Sequence, residues 1–173
     1  RGSTKAYPVV NVLHVWWARR PLIASRAAVV ASLLPAWPDD ADYEEGGEAA
    51  EVAVALKSEF PGGEAEYRTW FLRTIGILGD PAAGRRAIQA AVAAGTTTDG
   101  NAYGYERAFT TSPSTEDLEK FYRLVRLRAE GVELPRVLDP FAGGGSIPFE
   151  AARFGCDTIA NELNPVSNAI LLG

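Results

Sequence analysis

Acidic and glycine residues with a regular spacing stand near the carboxyl end of the chain. Asp139 follows a short apolar run, the sequence Ala142-Gly143-Gly144-Gly145 comes next, and Glu162 lies seventeen residues after Gly145. Glycines carry no Cβ, so the backbone can approach a ligand closely. An acid roughly twenty residues further on can accept hydrogen bonds from ribose hydroxyls. These residues predict a binding site for a cofactor that contains a nucleoside.

The elements that would position these residues follow one another as strand, glycine turn, helix and second strand, within residues 136–165. The first strand would end at Asp139. Ser146 would cap the helix after the turn, and Gly155 would end it. The second strand would end near Glu162. This order is typical of the first β-α-β unit of a doubly wound, Rossmann-like α/β sheet. The fold class that we expect is therefore α/β, with an incomplete sheet preceded by a mainly helical region.

The glycine turn departs from the fingerprint of a dinucleotide-binding site. The pattern G-x-G-x-x-G, counted from Gly143, would need a third glycine where the sequence has Pro148. Asp139 would also direct a carboxylate into the pocket, which suits a cationic ligand better than a pyrophosphate. The amino group and the sulfonium of S-adenosylmethionine are such cations. We therefore expect S-adenosylmethionine as the cofactor, with a nucleotide-dependent oxidoreductase as a weaker alternative.

Two segments carry a resemblance to a known family. DPFAGGGS, residues 139–146, resembles the first motif of S-adenosylmethionine-dependent DNA amino-methyltransferases, and Glu162 matches the acid of their second motif. LHVWWARRPL, residues 13–22, resembles the opening of a prokaryotic family of adenine-specific DNA methylases that carry a domain of unknown function there. The resemblance implies methylation of an exocyclic amine of DNA, first of all adenine N6. DNA cytosine N4 and RNA guanine N2 are alternatives.

The same resemblance implies which residues bind the cofactor. Asp139 would accept a hydrogen bond from its amino end, the backbone of Gly143–Gly145 would line its methionine part, and Glu162 would bind its ribose. Phe141 would contact the cofactor or close the pocket. The expected cofactor-binding residues are Asp139, Pro140, Phe141, Ala142, Gly143, Gly144, Gly145 and Glu162.

The motif that holds the target base in these enzymes is absent from the sequence. It is Asn, Asp or Ser followed by two prolines and an aromatic residue, which binds the exocyclic amine and stacks on the flipped base. Catalytic residues therefore stay unassigned, and we expect this stretch of chain to be inactive alone. The sequence has no methionine and stops in an apolar helical pattern. We expect the remaining strands of the sheet to come from the rest of a longer chain or from a partner.

Composition and cysteine usage indicate a soluble protein. The chain is 47% hydrophobic and 23% charged, with a net charge of −5, which argues against a uniformly basic nucleic-acid binder. Cys156 is the single cysteine and cannot form an internal disulfide. No apolar run is long enough for a transmembrane helix. These observations favour the cytoplasm and no membrane partner, and they leave the oligomeric state open.

A local nucleic-acid contact is nonetheless predicted near the amino terminus. Trp16 and Trp17 could stack on bases, and Arg19 and Arg20 could bind phosphates. Arg26 would extend this local basic stripe. The alternative is that the tryptophans are buried and the arginines pair with acids. This segment also supports a second hypothesis, a nucleic-acid-binding or complex-forming subunit with a methyltransferase-like scaffold. His14 is the only histidine, so we expect no metal site.

Helical periodicity and breaker residues divide the rest of the chain. We expect an amino-terminal arm and helix over residues 1–37, a helical insertion over 38–130 and the start of the cofactor domain over 131–173. The segment from His14 to Pro21 resembles the H-x-x-x-K-P segment of many amino-methyltransferases, which implies that the helix after Pro21 packs beside the glycine motif. An acid run near position 42 would form a solvated loop. The predicted helices cover residues 21–34, 48–60, 64–78, 81–94 and 115–130. Asp80 would start the fourth of them, Ser114 and Asp117 would form a capping box at the fifth, and Asn164 would cap a further helix after the second strand.

Overall fold

A computed structural model describes residues 22–39, 47–106, 110–128 and 134–172. In these ranges the chain is helix-rich, with a small parallel sheet of two strands. The elements are α1 (Leu22–Leu33), α2 (Gly47–Glu59), α3 (Glu64–Thr74), α4 (Pro81–Ala93), α5 (Thr115–Arg128), β1 (Val137–Asp139), α6 (Ser146–Arg153), β2 (Thr158–Ala160) and α7 (Pro165–Leu172).

The ends of most helices agree with the local sequence signals. Helices α1, α2 and α4 begin and end within one residue of the predicted bounds. Asp80 caps α4 as expected, because its carboxylate accepts a hydrogen bond of 2.8 Å from the amide of Ala82. Asn164 likewise caps α7 by accepting a hydrogen bond of 2.9 Å from the amide of Val166. These ends depend on neighbouring residues alone, which is why the sequence predicts them.

The predicted end of α3 was wrong. The apolar period runs on to position 78, but the helix ends at Thr74. Gly76 takes a left-handed backbone conformation with φ 93°, and the amide of Ile77 donates to the carbonyl of Leu72 at 2.8 Å. This is the hydrogen bond that closes a helix when glycine follows its last turn. The glycine signal outweighs the apolar period here.

A single cluster of buried side chains joins the helices to the β-α-β unit. Phe121 of α5 and Phe154, just after α6, meet edge to face with ring centroids 5.0 Å apart. Because the cluster includes side chains from α1, α2, α3, α5 and α6, these helices share one core. The division into three domains stays a prediction. The cluster comprises Val29, Val30, Leu34, Leu56, Phe60, Trp70, Ile75, Phe121, Leu124, Val125, Ala151, Phe154 and Cys156.

The two strands are parallel and in register, with Val137 opposite Thr158, Leu138 opposite Ile159, and Asp139 opposite Ala160. Helix α6 connects them and packs against both. Helix α1 packs along α6, as expected for the helix after Pro21. The strand ends, the glycine turn and α1 are therefore held together by α6. Among the described residues, no helix is both long and apolar enough to cross a membrane.

Asp117 fixes α5 against α3. The predicted capping box is half formed: the Asp117 amide donates to the Ser114 hydroxyl at 3.1 Å, as in a capping box. The Asp117 carboxylate accepts from that same hydroxyl at 2.8 Å. The same carboxylate accepts from the Trp70 indole at 2.9 Å and from Arg73 at 2.7 Å. Burial raises the pKa of Asp117, but hydrogen bonds from Arg73, Ser114 and Trp70 outweigh it and leave the pKa below its usual value.

Replacing Asp117 by alanine should therefore destabilise the protein. The buried indole N–H of Trp70 would lose its acceptor, and an unsatisfied buried donor costs about 1–3 kcal/mol. We expect Asp117→Ala to lower the free energy of unfolding by about 2 kcal/mol in urea denaturation. The control is Glu116→Ala, because Glu116 is the exposed neighbour. An equal effect of both substitutions would show that the Asp117 contacts contribute no specific stability.

Candidate functional site

The glycine turn is hydrogen-bonded to the chain that leaves β2. The amide of Ala142 donates to the carbonyl of Asn161 at 3.0 Å, and the Asn161 amide donates to the carbonyl of Asp139 at 2.9 Å. Within the turn, the amide of Gly145 donates to Ala142 at 2.8 Å. The carboxyl ends of both strands are thus tied to one loop, as the parallel order of the strands predicts.

Two of the three glycines need conformations that other residues avoid. Gly143 has φ 55° and Gly145 has φ 76°, and Gly145 is the residue that caps α6. The prediction that Ser146 caps this helix was wrong. Ser146 is already the first helical residue, and its hydroxyl instead accepts a hydrogen bond of 3.0 Å from Ser25 of α1. A side-chain cap requires an extended backbone, whereas Gly145 is left-handed.

Substituting Gly145 should cost more than substituting its neighbour Gly144. A Cβ at Gly145 would lie 2.7 Å from Cδ2 of Leu171, but that methyl group can move, so the left-handed backbone is the main cost. We expect Gly145→Ala to lower the free energy of unfolding by about 1–2 kcal/mol. Gly144, whose φ is not positive, should accept alanine with a change below about 0.5 kcal/mol. Thermal denaturation of the two variants tests this difference.

Both carboxylate oxygens of Glu162 accept hydrogen bonds from backbone amides. Oε2 accepts from the Gly143 amide at 2.7 Å, and Oε1 accepts from Leu163 at 2.9 Å and Asn164 at 3.1 Å. Hydrogen bonds from the amides of Asn164, Gly143 and Leu163 hold the pKa of Glu162 below its ordinary value of 4.5. A ribose hydroxyl could share Oε2 with the Gly143 amide or replace it.

The lowered pKa of Glu162 predicts a stability loss in acid. A carboxylate with a depressed pKa stabilises the folded state at pH values above its unfolded pKa, and this contribution disappears as pH falls through the folded pKa. At about pH 6, the free energy of unfolding of the wild-type protein should be larger than that of the Glu162→Gln variant. The gap should close as pH falls below the ordinary value of 4.5, because protonated glutamate resembles glutamine. A gap that stays constant with pH would show that the charge does not stabilise the turn.

Asp139 is nearly buried at the end of β1. Its relative exposure is 9%, and its Oδ1 accepts a hydrogen bond of 3.1 Å from the amide of Phe141. The Phe141 ring is 72% exposed, whereas Ala142 is buried. Asp139 thus ends β1, Glu162 follows the adjacent parallel strand β2, and both carboxylates accept hydrogen bonds from the backbone of Phe141–Gly143. The structure brings together the residues that the sequence singles out in this region.

A cavity of about 840 Å³ lies elsewhere, between the end of α1 and helices α2 and α3. It is lined by Trp37, Tyr67, Phe71 and Arg128 among others, and by no residue of the glycine turn. The hydroxyl of Tyr67 donates to the carbonyl of Pro35 at 2.7 Å, and burial raises the pKa of Tyr67 to about 12. The lining is largely apolar and carries charged side chains of both signs, namely Glu48, Glu64, Arg68 and Arg128.

The predicted nucleic-acid contacts, Trp16, Trp17, Arg19 and Arg20, lie outside the described residues, as does His14. Of the predicted acidic loop, only Asp39 lies within the described residues. Cys156 is buried, and burial raises the pKa of its thiol. Within the described ranges, no three His, Cys, Asp or Glu side chains are close enough to hold a metal ion.

The prediction that Arg26 belongs to an exposed basic stripe was wrong, because Arg26 is buried in an ion pair that sequence reasoning missed. Arg26 of α1 and Glu150 of α6 are 1% and 0% exposed, and Nε of the arginine lies 2.6 Å from Oε2 of the glutamate. The signal was available, because each helix carries one charge inside an otherwise small and apolar stretch, LIASRAAVV and IPFEAA. Buried charges are usually paired, so each of these charges indicates that it has a partner, although the sequence does not say which one.

Comparison with known proteins gives one match. The model of a family described as "Protein of unknown function (DUF1156)" matches residues 2–57, about a third of the chain. The matched stretch contains LHVWWARRPL, the amino-terminal segment with the resemblance described above, together with α1 and most of α2. No curated protein and no solved structure matches the chain.

Proposed function

We propose that the protein is the cofactor-binding part of an S-adenosylmethionine-dependent methyltransferase that acts on an exocyclic amine of DNA, most of all adenine N6. The observation that supports this proposal is the arrangement around the glycine turn. Asp139 ends β1 and Glu162 follows the parallel strand β2, and their carboxylates accept hydrogen bonds from the backbone of Phe141 and Gly143 at the start of the turn. The resemblance of the DPFAGGGS segment to amino-methyltransferases supplies the substrate class.

The chemistry of the donor set fits this cofactor. Two carboxylates suit an ammonium group and ribose hydroxyls, and neither suits a pyrophosphate. Asp139 would hold the amino end, and Glu162 would hold the ribose after releasing or sharing the Gly143 amide. When bound, the cofactor would supply a methyl group on a sulfonium that is already a good leaving group. The contribution of this chain is then to position the donor, since correct placement removes much of the entropic barrier.

The exposed face of the sheet supports a larger, Rossmann-like domain. Leu138 and Ile159 are register partners and are 62% and 49% exposed. Val137, whose side chain points to the other face, packs against the core. A doubly wound sheet buries both faces under helices. A bare apolar pair on one face is therefore what two strands of such a sheet would present.

A complex-forming or nucleic-acid-binding subunit with a methyltransferase-like scaffold is the second candidate. Its specific support is that the turn satisfies itself, because Glu162 already accepts three amide hydrogen bonds and Asp139 accepts one. A turn stabilised in this way needs no cofactor. The sequence also lacks the motif that would hold the target base. DNA cytosine N4 and RNA guanine N2 remain alternative targets of the enzyme.

Isothermal calorimetry separates the two candidates. We expect the protein to bind S-adenosylmethionine with one site, and Asp139→Asn or Glu162→Gln to weaken binding at least tenfold, because each removes a charge-assisted hydrogen bond of about 1.5–3 kcal/mol. The matched control is Asp157→Asn. Asp157 precedes β2, is 65% exposed and pairs with Arg136 at 3.0 Å, away from the turn.

Absence of binding by the wild-type protein would contradict the enzyme proposal and favour the scaffold. Equal weakening by Asp157→Asn would contradict the assignment of the site to Asp139 and Glu162, since that substitution removes only an exposed charge.

A further inference from the structure

Residues 2–57, which the family model matches, include helix α1, and α1 packs against α6, the helix that follows the glycine turn. Side-chain hydrogen bonds join α1 to the amino-terminal half of α6. Ser25 donates to Ser146 at 3.0 Å, in the first turn of α6, and Arg26 pairs with Glu150 one turn later. Ser146 directly follows Gly145, so the first contact lies at the end of the glycine turn.

The Arg26–Glu150 pair is also tied to a third segment. Nη2 of Arg26 donates to the carbonyl of Thr111 at 3.1 Å. The second carboxylate oxygen of Glu150 accepts from Arg153 at 3.2 Å, and Arg153 lies 3.4 Å from the hydroxyl of Ser112. A fork-shaped guanidinium and a carboxylate with both oxygens bound allow only one orientation of the two helices.

We propose that Arg26 and Glu150, with Ser25 and Ser146, are positioning residues that set the conformation of the glycine turn. Rotating or sliding α6 would break these contacts, and α6 begins where the turn ends. A purely apolar interface between α1 and α6 would permit several orientations of the two helices, whereas buried polar side chains that must stay paired favour a single orientation. The role of α1 is then to hold the turn in shape. That this shape matters for cofactor affinity rests on the proposed function; that α1 sets the shape does not.

The test is amide hydrogen exchange of the full chain without ligand, comparing wild type with Arg26→Met/Glu150→Met. Methionine keeps the length and apolar bulk of the side chains, and exchanging a buried ion pair for apolar residues is often neutral for stability. We expect at least tenfold faster exchange of the Gly143, Gly145 and Phe149 amides. Exchange in α3 and the melting temperature should change little.

The matched control removes an ion pair that does not touch α6. Arg123 of α5 pairs with Glu59 of α2 at 2.8 Å, so Arg123→Met/Glu59→Met removes an interhelical pair of the same chemistry. It should leave exchange in the turn unchanged. Should the Arg26/Glu150 variant fail to fold, Ser25→Ala replaces it, with an expected acceleration of about fivefold, the equivalent of one hydrogen bond.

Unchanged exchange in the turn of a folded Arg26/Glu150 variant, or of Ser25→Ala, would overturn the inference. A uniform acceleration of exchange across all helices would also overturn it, because that pattern indicates a loss of global stability and not a specific effect on the glycine turn. The wild-type affinity for S-adenosylmethionine is measured in parallel. If wild type does not bind it, the proposed function fails while the exchange data still decide the role of α1. If it binds, the double variant should bind at least tenfold more weakly.

Discussion

A buried ion pair between residues 124 apart in sequence governs how the described parts of this chain fit together. Arg26 and Glu150 are almost entirely removed from water. Removing ions from water costs several kcal/mol for each ion, so each charge is tolerable only because the other is present. As long as α1 carries Arg26, its packing against α6 therefore depends on Glu150, and α6 begins where the glycine turn ends. This contact thus links the segment that the family model matches to the β-α-β unit.

The two acids of the glycine turn have a structural task and a proposed binding task. In the structure, Asp139 and Glu162 accept hydrogen bonds from amides of the turn and of the chain after β2, which keeps their carboxylates in place without a ligand. A ligand that binds them must exchange some of these bonds for its own. Such a site is preorganised, because the acids are already oriented and only hydrogen-bond partners change. Preorganisation lowers the ordering cost of binding.

Most local features of the fold were predictable, whereas among the tertiary features the packing of α1 beside α6 was predicted and the side-chain contacts between them were not. The caps at Asp80 and Asn164, and the end of α6 at Gly155 with φ 74°, depend on residues a few positions apart. The strand before Asp139 was predictable for the same reason. The capping of α6 by Gly145 was missed, because Ser146 is engaged by Ser25, a residue far away in sequence.

The candidate site shows the same division. The sequence identified Asp139, the glycines and Glu162, because their types and spacing suffice to suggest a cofactor. It did not show that Glu162 would bind the Gly143 amide, since that contact depends on how the chain leaves β2. Nor did it pair Arg26 with Glu150, because periodicity places a charge on a helix face without naming the helix opposite.

The most direct test of the proposed cofactor site is a titration of the isotope-labelled protein with S-adenosylmethionine, followed through backbone amide chemical shifts. The account predicts saturable shifts at Gly143, Gly144 and Gly145 and at the Leu163 and Asn164 amides beside Glu162. The absence of shifts at the turn would contradict it. So would shifts confined to the cavity between α1, α2 and α3, around Trp37 and Tyr67.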